Sequence, residues 1–276
     1  MDKPTPVFQV DAFTDRPFAG NPAAVCLLSE PAAPDWMQLV AREMNLSETA
    51  FVAPAGDDWA LRWFTPTVEV ELCGHATLAA AHVLWEERRL AADRPARFHT
   101  ASGLLQAVRR GAWTDLDFPA TPAEACEAPA GLREALGVTP SYVGRSAFDL
   151  LVVVEDEAIV RAMAPDLTRL RRLDARGVMV TSAAATPGYD FVSRFFGPAV
   201  GVDEDPVTGS AHCCLGPYWG RRLGKTELVA YQASARGGHV QVRLRGERVI
   251  LSGQAVTVWR GALAAAADRA AAPSTT

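Results

Sequence analysis

The sequence points to an α+β chain of two pseudo-symmetric lobes, each a largely antiparallel sheet or barrel wrapped round a central buried helix. Strand-like runs bounded by Gly, Pro and Asn recur along the chain. Two segments, 74–90 and 209–223, have helical length and are largely apolar around their circumference, the pattern of a helix buried on all sides. The approaches to those helices resemble each other at an offset near half the chain.

In chain order, residues 7–13 alternate as a strand, 16–22 read as a loop, and 24–28 as the returning strand. Pro34-Asp35 opens a helix to about Asn45, with Trp36, Leu39, Val40 and Met44 at helical spacing. Residues 49–53 and 61–64 are strand-like and precede the first buried helix, 74–90. In the second half, strands at 148–154, 178–182 and 190–196 lead through a loop to the second, 209–223. Strands at 229–232, 240–244, 249–251 and 256–259 follow. The Ala-rich end, closing in Pro-Ser-Thr-Thr, is expected to be frayed.

The repeat has two parts. Arg62-Trp63-Phe64-Thr65-Pro66 matches Arg194-Phe195-Phe196-Gly197-Pro198 at an offset of 132. Cys73-Gly74-His75-Ala76-Thr77 and Thr208-Gly209-Ser210-Ala211-His212 then each place Gly and small residues at a helix start, offset by 135. The lobes are accordingly expected at residues 1–117 and 118–261, with 262–276 as the tail. A length of 276 residues, at about 150 per domain, agrees with two.

Composition excludes several classes of function. A net charge of −5 advertises no polybasic surface for nucleic acid or anionic membrane, and no basic-aromatic stripe is present. The uncharged stretch 72–85 falls short of the roughly 18 apolar residues of a membrane span. Residues 1–10 lack the apolar core of a signal peptide. Five cysteines, odd in number and without a CxxC pair, argue for a reducing compartment and against disulfides or a structural zinc site. A cytoplasmic protein is the expectation. No GxGxxG or Walker-type lysine marks a nucleotide site.

A helix start exposes unpaired N–H groups and carries about half a positive charge, so it favours anions. Gly74 and Gly209 can each serve a tight turn alone. As a matched pair beside ionisable groups, they suggest a cleft for a small carboxylate. Glu48, amid uncharged residues where a strand begins, lies either on an exposed edge or desolvated in a cleft, where its pKa would rise toward a useful range. His75 beside a positive helix end would be held neutral, as a relay or donor, or would simply cap the helix. Asp205 either stabilises the second helix start or acts with Glu48 and His75 in handling protons.

Five ordered motifs then become informative together. Gly20-Asn21-Pro22-Ala23, Ser47-Glu48-Thr49-Ala50-Phe51, Trp63-Phe64-Thr65-Pro66, Cys73-Gly74-His75-Ala76-Thr77 and the run from Glu204 through His212 resemble the PhzF family of phenazine-biosynthesis-like isomerases. The resemblance spans residues 8–261, and Arg236-Gly237-Gly238 is similar to the phenazine-biosynthesis-like branch. It implies a diaminopimelate-epimerase-like fold with the active site between the lobes, a homodimer, and no cofactor. By the same resemblance Glu48 is the acid/base, with His75 and Asp205 assisting. Ser47, Gly74, Gly209 and Ser210 would bind substrate. The chain departs from the superfamily's two-thiol racemases. Cys73 stands where the first thiol would fall, but the second lobe has Asp205-Pro206-Val207-Thr208-Gly209 there, with Cys213 and Cys214 inside the helix.

The expected activity is a cofactor-independent proton shift within a small carboxylate. The competing reading is a non-catalytic metabolite-binding or protein-interaction member of the same fold. A metal hydrolase built on His75, His82 and Glu86 lacks the HExxH arrangement, so no metal is expected.

Overall fold

The computed structural model describes residues 4–264 and divides the chain into two compact units. Among the described residues the first unites 4–116 with 253–264, and the second is Asp117–Ser252.

Each unit repeats one order of strand pairing. In the first, Ala255–Leu263 pairs antiparallel with Thr5–Ala12, which pairs antiparallel with Asn21–Leu27. A parallel pairing to Glu48–Ala55 follows, then an antiparallel one to Asp58–Phe64 and a parallel one to Ala96–Thr100. Gly103–Arg110 and Trp113–Pro119 complete the series antiparallel. In the second unit the same alternation runs through Glu124–Ala125, Tyr142–Arg145, Asp149–Val153, Gly177–Ala183, Phe191–Gly197, Glu227–Gln232, Gly238–Arg245 and Arg248–Gly253.

Parallel neighbours need a crossover, and helices supply it. Pro34–Met44 makes the first, starting on Pro34 and ending on Asn45 in the left-handed region. Its buried face is Trp36, Met37, Val40 and Ala41. Leu39, expected in the apolar stripe, is exposed. The two buried helices are also crossovers. Gly74–Glu86 joins Asp58–Phe64 to Ala96–Thr100, and Gly209–Leu223 joins Phe191–Gly197 to Glu227–Gln232.

The first of these is buried from His75 to Trp85 except at His82. It packs on strands Thr5–Ala12, Asn21–Leu27, Glu48–Ala55, Gly103–Arg110 and Ala255–Leu263. It stops at Glu86 rather than near Leu90, because Arg88 adopts a positive φ of 56° and turns the chain. Gly209–Leu223 carries Pro217 inside it. Proline has no N–H to offer the carbonyl four residues back, that of Cys213, which accepts from Thr121 N instead at 3.0 Å.

The same helix lies close on strand Gly238–Arg245 because Gly216 and Gly220 face it. A Cβ at Gly216 would meet the Val242 side chain at 2.6 Å and that of Leu244 at 3.4 Å. At Gly220 it would meet Leu244 at 2.4 Å and the fixed Lys225 carbonyl oxygen at 2.8 Å. Gly220→Ala should therefore cost about 1–3 kcal/mol in urea denaturation despite its better helix propensity. A stabilised variant would show that the helix and strand can separate freely.

The repeated Arg-aromatic-aromatic run has the same job in both units. Arg62 grips Glu69 bidentately, at 2.7 and 2.7 Å, and lies over the Phe64 ring. Arg194 grips Glu204 at 2.7 and 2.9 Å and lies over Phe196. Each fork ties a strand to the short returning strand that feeds a buried helix.

Residues 253–261, expected in the second lobe, belong to the first unit. Strand Ala255–Leu263 hydrogen-bonds along Thr5–Ala12, a contact between chain ends that no local pattern announces. Ala262 and Leu263, expected in the frayed tail, lie in that strand, and 265–276 fall outside the described residues. Among the described residues no helix is long and apolar enough to cross a membrane.

Candidate active site

Asn21 and Glu48 each open a strand, and the two strands run parallel with Ala23 beside Glu48. Parallel pairing sets both strand starts at one end of the sheet. The helix Gly74–Glu86 also begins there, its first residues meeting both side chains. Asn21 Nδ2 lies 3.3 Å from His75 Nδ1, and Glu48 Oε2 lies 3.3 Å from His75 Nε2. Cys73 Sγ is 3.5 Å from Nδ1.

An amide N–H only donates, so with Asn21 oriented this way Nδ1 accepts and the ring proton sits on Nε2, facing Glu48. Asn21 is fully buried, and the His75 side chain is 6% exposed against 18% for Glu48. Nε2 makes no well-directed hydrogen bond. Glu48 thus lies between the two alternatives of an exposed edge and a closed cleft.

Burial pushes the His75 imidazole down to about 3. The contact with Glu48 is therefore between a carboxyl group and a neutral ring, although the spacing suits an ion pair. The neutral state agrees with the sequence-based expectation, but desolvation is its cause.

Cys73 is the N-cap and supplies no side-chain cap, so the N–H groups of the first turn have no intrahelical partner. Its carbonyl accepts from the Thr77 hydroxyl at 2.5 Å. Gly74 and Ser47 are both half-buried.

In the second unit the helix start is held by a knot of neutral polar groups around Asp205. The Thr208 hydroxyl donates to Asp205 Oδ2 at 2.6 Å, and Thr208 N donates to Gln232 Oε1 at 2.9 Å. Gln232 Nε2 donates to the Asp205 carbonyl at 2.7 Å. Gly209 is buried and Ser210 half-buried. Ser210 Oγ accepts from Arg176 Nη2 at 2.9 Å, and Arg176 forks onto the buried Asp149 at 2.8 and 2.5 Å. Phe148 and Phe195 flank that guanidinium at 5.2 and 5.8 Å.

Of the expected set Glu48, His75 and Asp205, the structure brings Glu48 and His75 together in the first unit. It places Asp205, with Gly209 and Ser210, at the helix start of the second; sequence reasoning did not separate the set this way. That reasoning missed Asn21, Gln232, Asp149 and Arg176 as supporting residues. Gln232 had a readable signal, a polar residue at an inward position of the alternating strand Glu227–Gln232. Asp149 and Arg176 had none, since their pairing spans 27 positions of chain.

One group among the described residues offers metal-ligating atoms together: Glu48, Cys73 and His75, within 4.8 Å of one another. His82 and Glu86, from the hydrolase alternative, face each other at 3.5 Å and share Thr257, apart from that group.

His212, inside the second buried helix, donates from Nδ1 to the Thr208 carbonyl at 2.8 Å, and burial lowers it to about 4. Both lowered histidines are neutral when folded and titrate near 6.5 when unfolded. The unfolded chain alone binds these protons as the pH drops below about 6.5, so stability is full above that value and falls below it. Each ring should remove roughly 1 kcal/mol per pH unit until its folded-state value is reached. Urea midpoints taken between neutral pH and pH ~5 check this, and a flat profile would mean charged rings in the native state.

A model of the phenazine biosynthesis-like protein family, PhzC-PhzF, matches residues 10–261. An uncharacterized isomerase from Halalkalibacterium halodurans is 54% identical over 260 residues, covering 94% of this chain and 98% of that protein. The crystal structure of a PhzF-family protein from Enterococcus faecalis superposes with a TM-score of 0.90 at 42% identity, covering 94% and 98% of the two chains. A probable proline racemase from Agrobacterium radiobacter shares the fold at 14% identity, with a TM-score of 0.63 over 94% and 93% of the chains.

Proposed function

The chain is an isomerase of the phenazine biosynthesis-like (PhzC-PhzF) family, and from that premise we propose that it shifts a proton within a small carboxylate by acid–base catalysis at Glu48. The observation carrying this reading is the half-buried Glu48 carboxyl, 3.3 Å from a neutral, buried imidazole.

A charged imidazolium at that distance would hold the carboxylate ionised and blunt it as a base. The neutral ring does not, and its Nε2–H lies beside the Glu48 carboxyl at 3.3 Å, free to turn toward it. Glu48 takes a proton from a carbon of the substrate and returns it to another atom on the same face. His75 acts by hydrogen bonding, its tautomer set by Asn21. The free N–H groups at the Gly74 helix start suit a carboxylate and the charge that develops beside it.

Ser47 is assigned to the same substrate. In the second unit, Asp205, Gly209 and Ser210 are assigned to substrate handling, with Asp205 assisting a second proton. A homodimer that works without a cofactor completes the reading, and analytical ultracentrifugation checks the dimer.

The test is incubation with a panel of small carboxylates in deuterium oxide, followed by mass spectrometry. Incorporation of solvent deuterium into one of them supports the isomerase. Binding without exchange would favour a non-catalytic metabolite-binding protein instead.

A further inference from the structure

We propose that Glu48, Cys73 and His75 form a binding site for a divalent cation of the zinc class, and that its occupation switches off Glu48 as a base. Three donor types converge here, a carboxylate oxygen, a thiol sulfur and an imidazole nitrogen, all within 4.8 Å. That mixture suits a borderline-soft ion and not the oxygen-seeking magnesium or calcium.

The spacings fit. A tetrahedral ion with bonds of about 2.3 Å to sulfur and about 2.0–2.1 Å to nitrogen or oxygen sets its ligand atoms roughly 3.3–3.6 Å apart. His75 Nε2 to Glu48 Oε2, at 3.3 Å, has that spacing, while Cys73 Sγ lies 3.5 Å from the ring's other nitrogen, Nδ1, and within reach of the site. Nε2 is buried and makes no well-directed hydrogen bond, on a side chain only 6% exposed, and becomes the ligand atom once its proton moves to Nδ1. Such a nitrogen invites a partner, because an unmade interaction in the interior costs free energy.

With Nε2 on the ion and Glu48 beside it, Cys73 has only to swing its thiol across the ring edge. Nδ1 would then carry the ring proton, and the Asn21 amide, 3.3 Å away, can present its carbonyl to hold it, the usual outer support of a metal-bound histidine. Both Cys73 and His75 sit on or beside the first turn of a buried helix, so two of the three ligands share one rigid mount. Three protein ligands leave a fourth position for water.

Binding converts the Cys73 thiol to a thiolate and releases its proton to solvent, so affinity rises with pH. A carboxylate bound to the cation is far less basic toward a carbon-bound proton. The binding part stands on geometry alone. The inhibitory part rests on the acid–base reading of Glu48.

The experiment titrates metal-free full-length protein with Zn²⁺ in competition with a chromophoric chelator. One equivalent should bind, with affinity falling at least about 100-fold in Cys73→Ser and in His75→Gln. Co²⁺ in place of Zn²⁺ gives a readout needing no variant: a thiolate-to-cobalt charge-transfer band in the wild-type protein. Undiminished affinity in Cys73→Ser, a cobalt spectrum without that band, or no stoichiometric uptake would each overturn the site. Zn²⁺ should also abolish deuterium exchange, and a chelator should restore it. If metal-free protein exchanges no deuterium but takes up Zn²⁺ through Cys73, the catalytic reading fails while the metal site stands.

Discussion

Glu48→Gln is expected to lower turnover by about 10²–10⁴-fold, the usual contribution of one positioned acid–base group. The substitution preserves shape and leaves a hydrogen-bonding amide beside His75, so substrate binding should change far less than kcat. It also reads the charge of His75. Were the ring an imidazolium, removing its carboxylate partner would strand a buried cation at a cost of about 3–5 kcal/mol. Since burial holds the ring neutral, the variant should lose less than about 1 kcal/mol. Deuterium uptake by the substrate and urea midpoints measure the two quantities separately. Turnover within about threefold of wild type would remove Glu48 from the proton path, because no acid–base role is worth so little.

Glu157→Gln should cost about 2–4 kcal/mol of stability. Glu157 is 5% exposed. Its Oε2 accepts from Ala185 N at 2.6 Å and Thr186 N at 2.8 Å, while Oε1 accepts from the Thr186 hydroxyl and from Arg161, each at 2.6 Å. Burial raises the carboxyl, but the Thr186, Arg161 and Ala185 hydrogen bonds outweigh it and bring it down to about 2. Glutamine keeps one acceptor oxygen and turns an NH₂ group toward donors, opposing either the two backbone N–H groups of 185–186 or the Arg161 guanidinium. The sign with pH follows from the lowered value. The stabilisation is complete above about 4.5 and is lost as pH falls toward 2, below the histidine window that opens near 6.5. The variant should therefore flatten the acid limb as well as lower the midpoint at neutral pH. A cost under about 1 kcal/mol would mean that the 185–186 loop finds other acceptors.

The sequence was most legible where one element answers to its own periodicity. Helix Gly209–Leu223 was read with its observed bounds, since Thr208-Gly209 opens it and Gly224 closes it in the left-handed region. Leu39 misled because apolar spacing alone does not say which side of a helix faces a sheet; the neighbouring Met37 and Ala41 took the core positions. Phe148, read as the start of a strand, is instead exposed and lies over Arg176. The strands Ala96–Thr100, Gly103–Arg110 and Trp113–Pro119 went unread. Their inward residues are few and alternate with exposed Arg, Gln and Asp, so the apolar signal is thin.

Local order and repetition lie in the chain itself. The Arg-aromatic-aromatic runs, the Gly-led helix starts and the two largely apolar helices are short-range patterns, and they sufficed for two lobes built on one plan and for Glu48 and His75 as candidates. Tertiary pairing settled the rest. Asn21 reaches His75 across 54 positions, and Ala255–Leu263 crosses nearly the whole chain to Thr5–Ala12. Burial, not the helix end, made His75 neutral. Such outcomes depend on which surfaces exclude water together, a property of the packed molecule that no window of sequence contains.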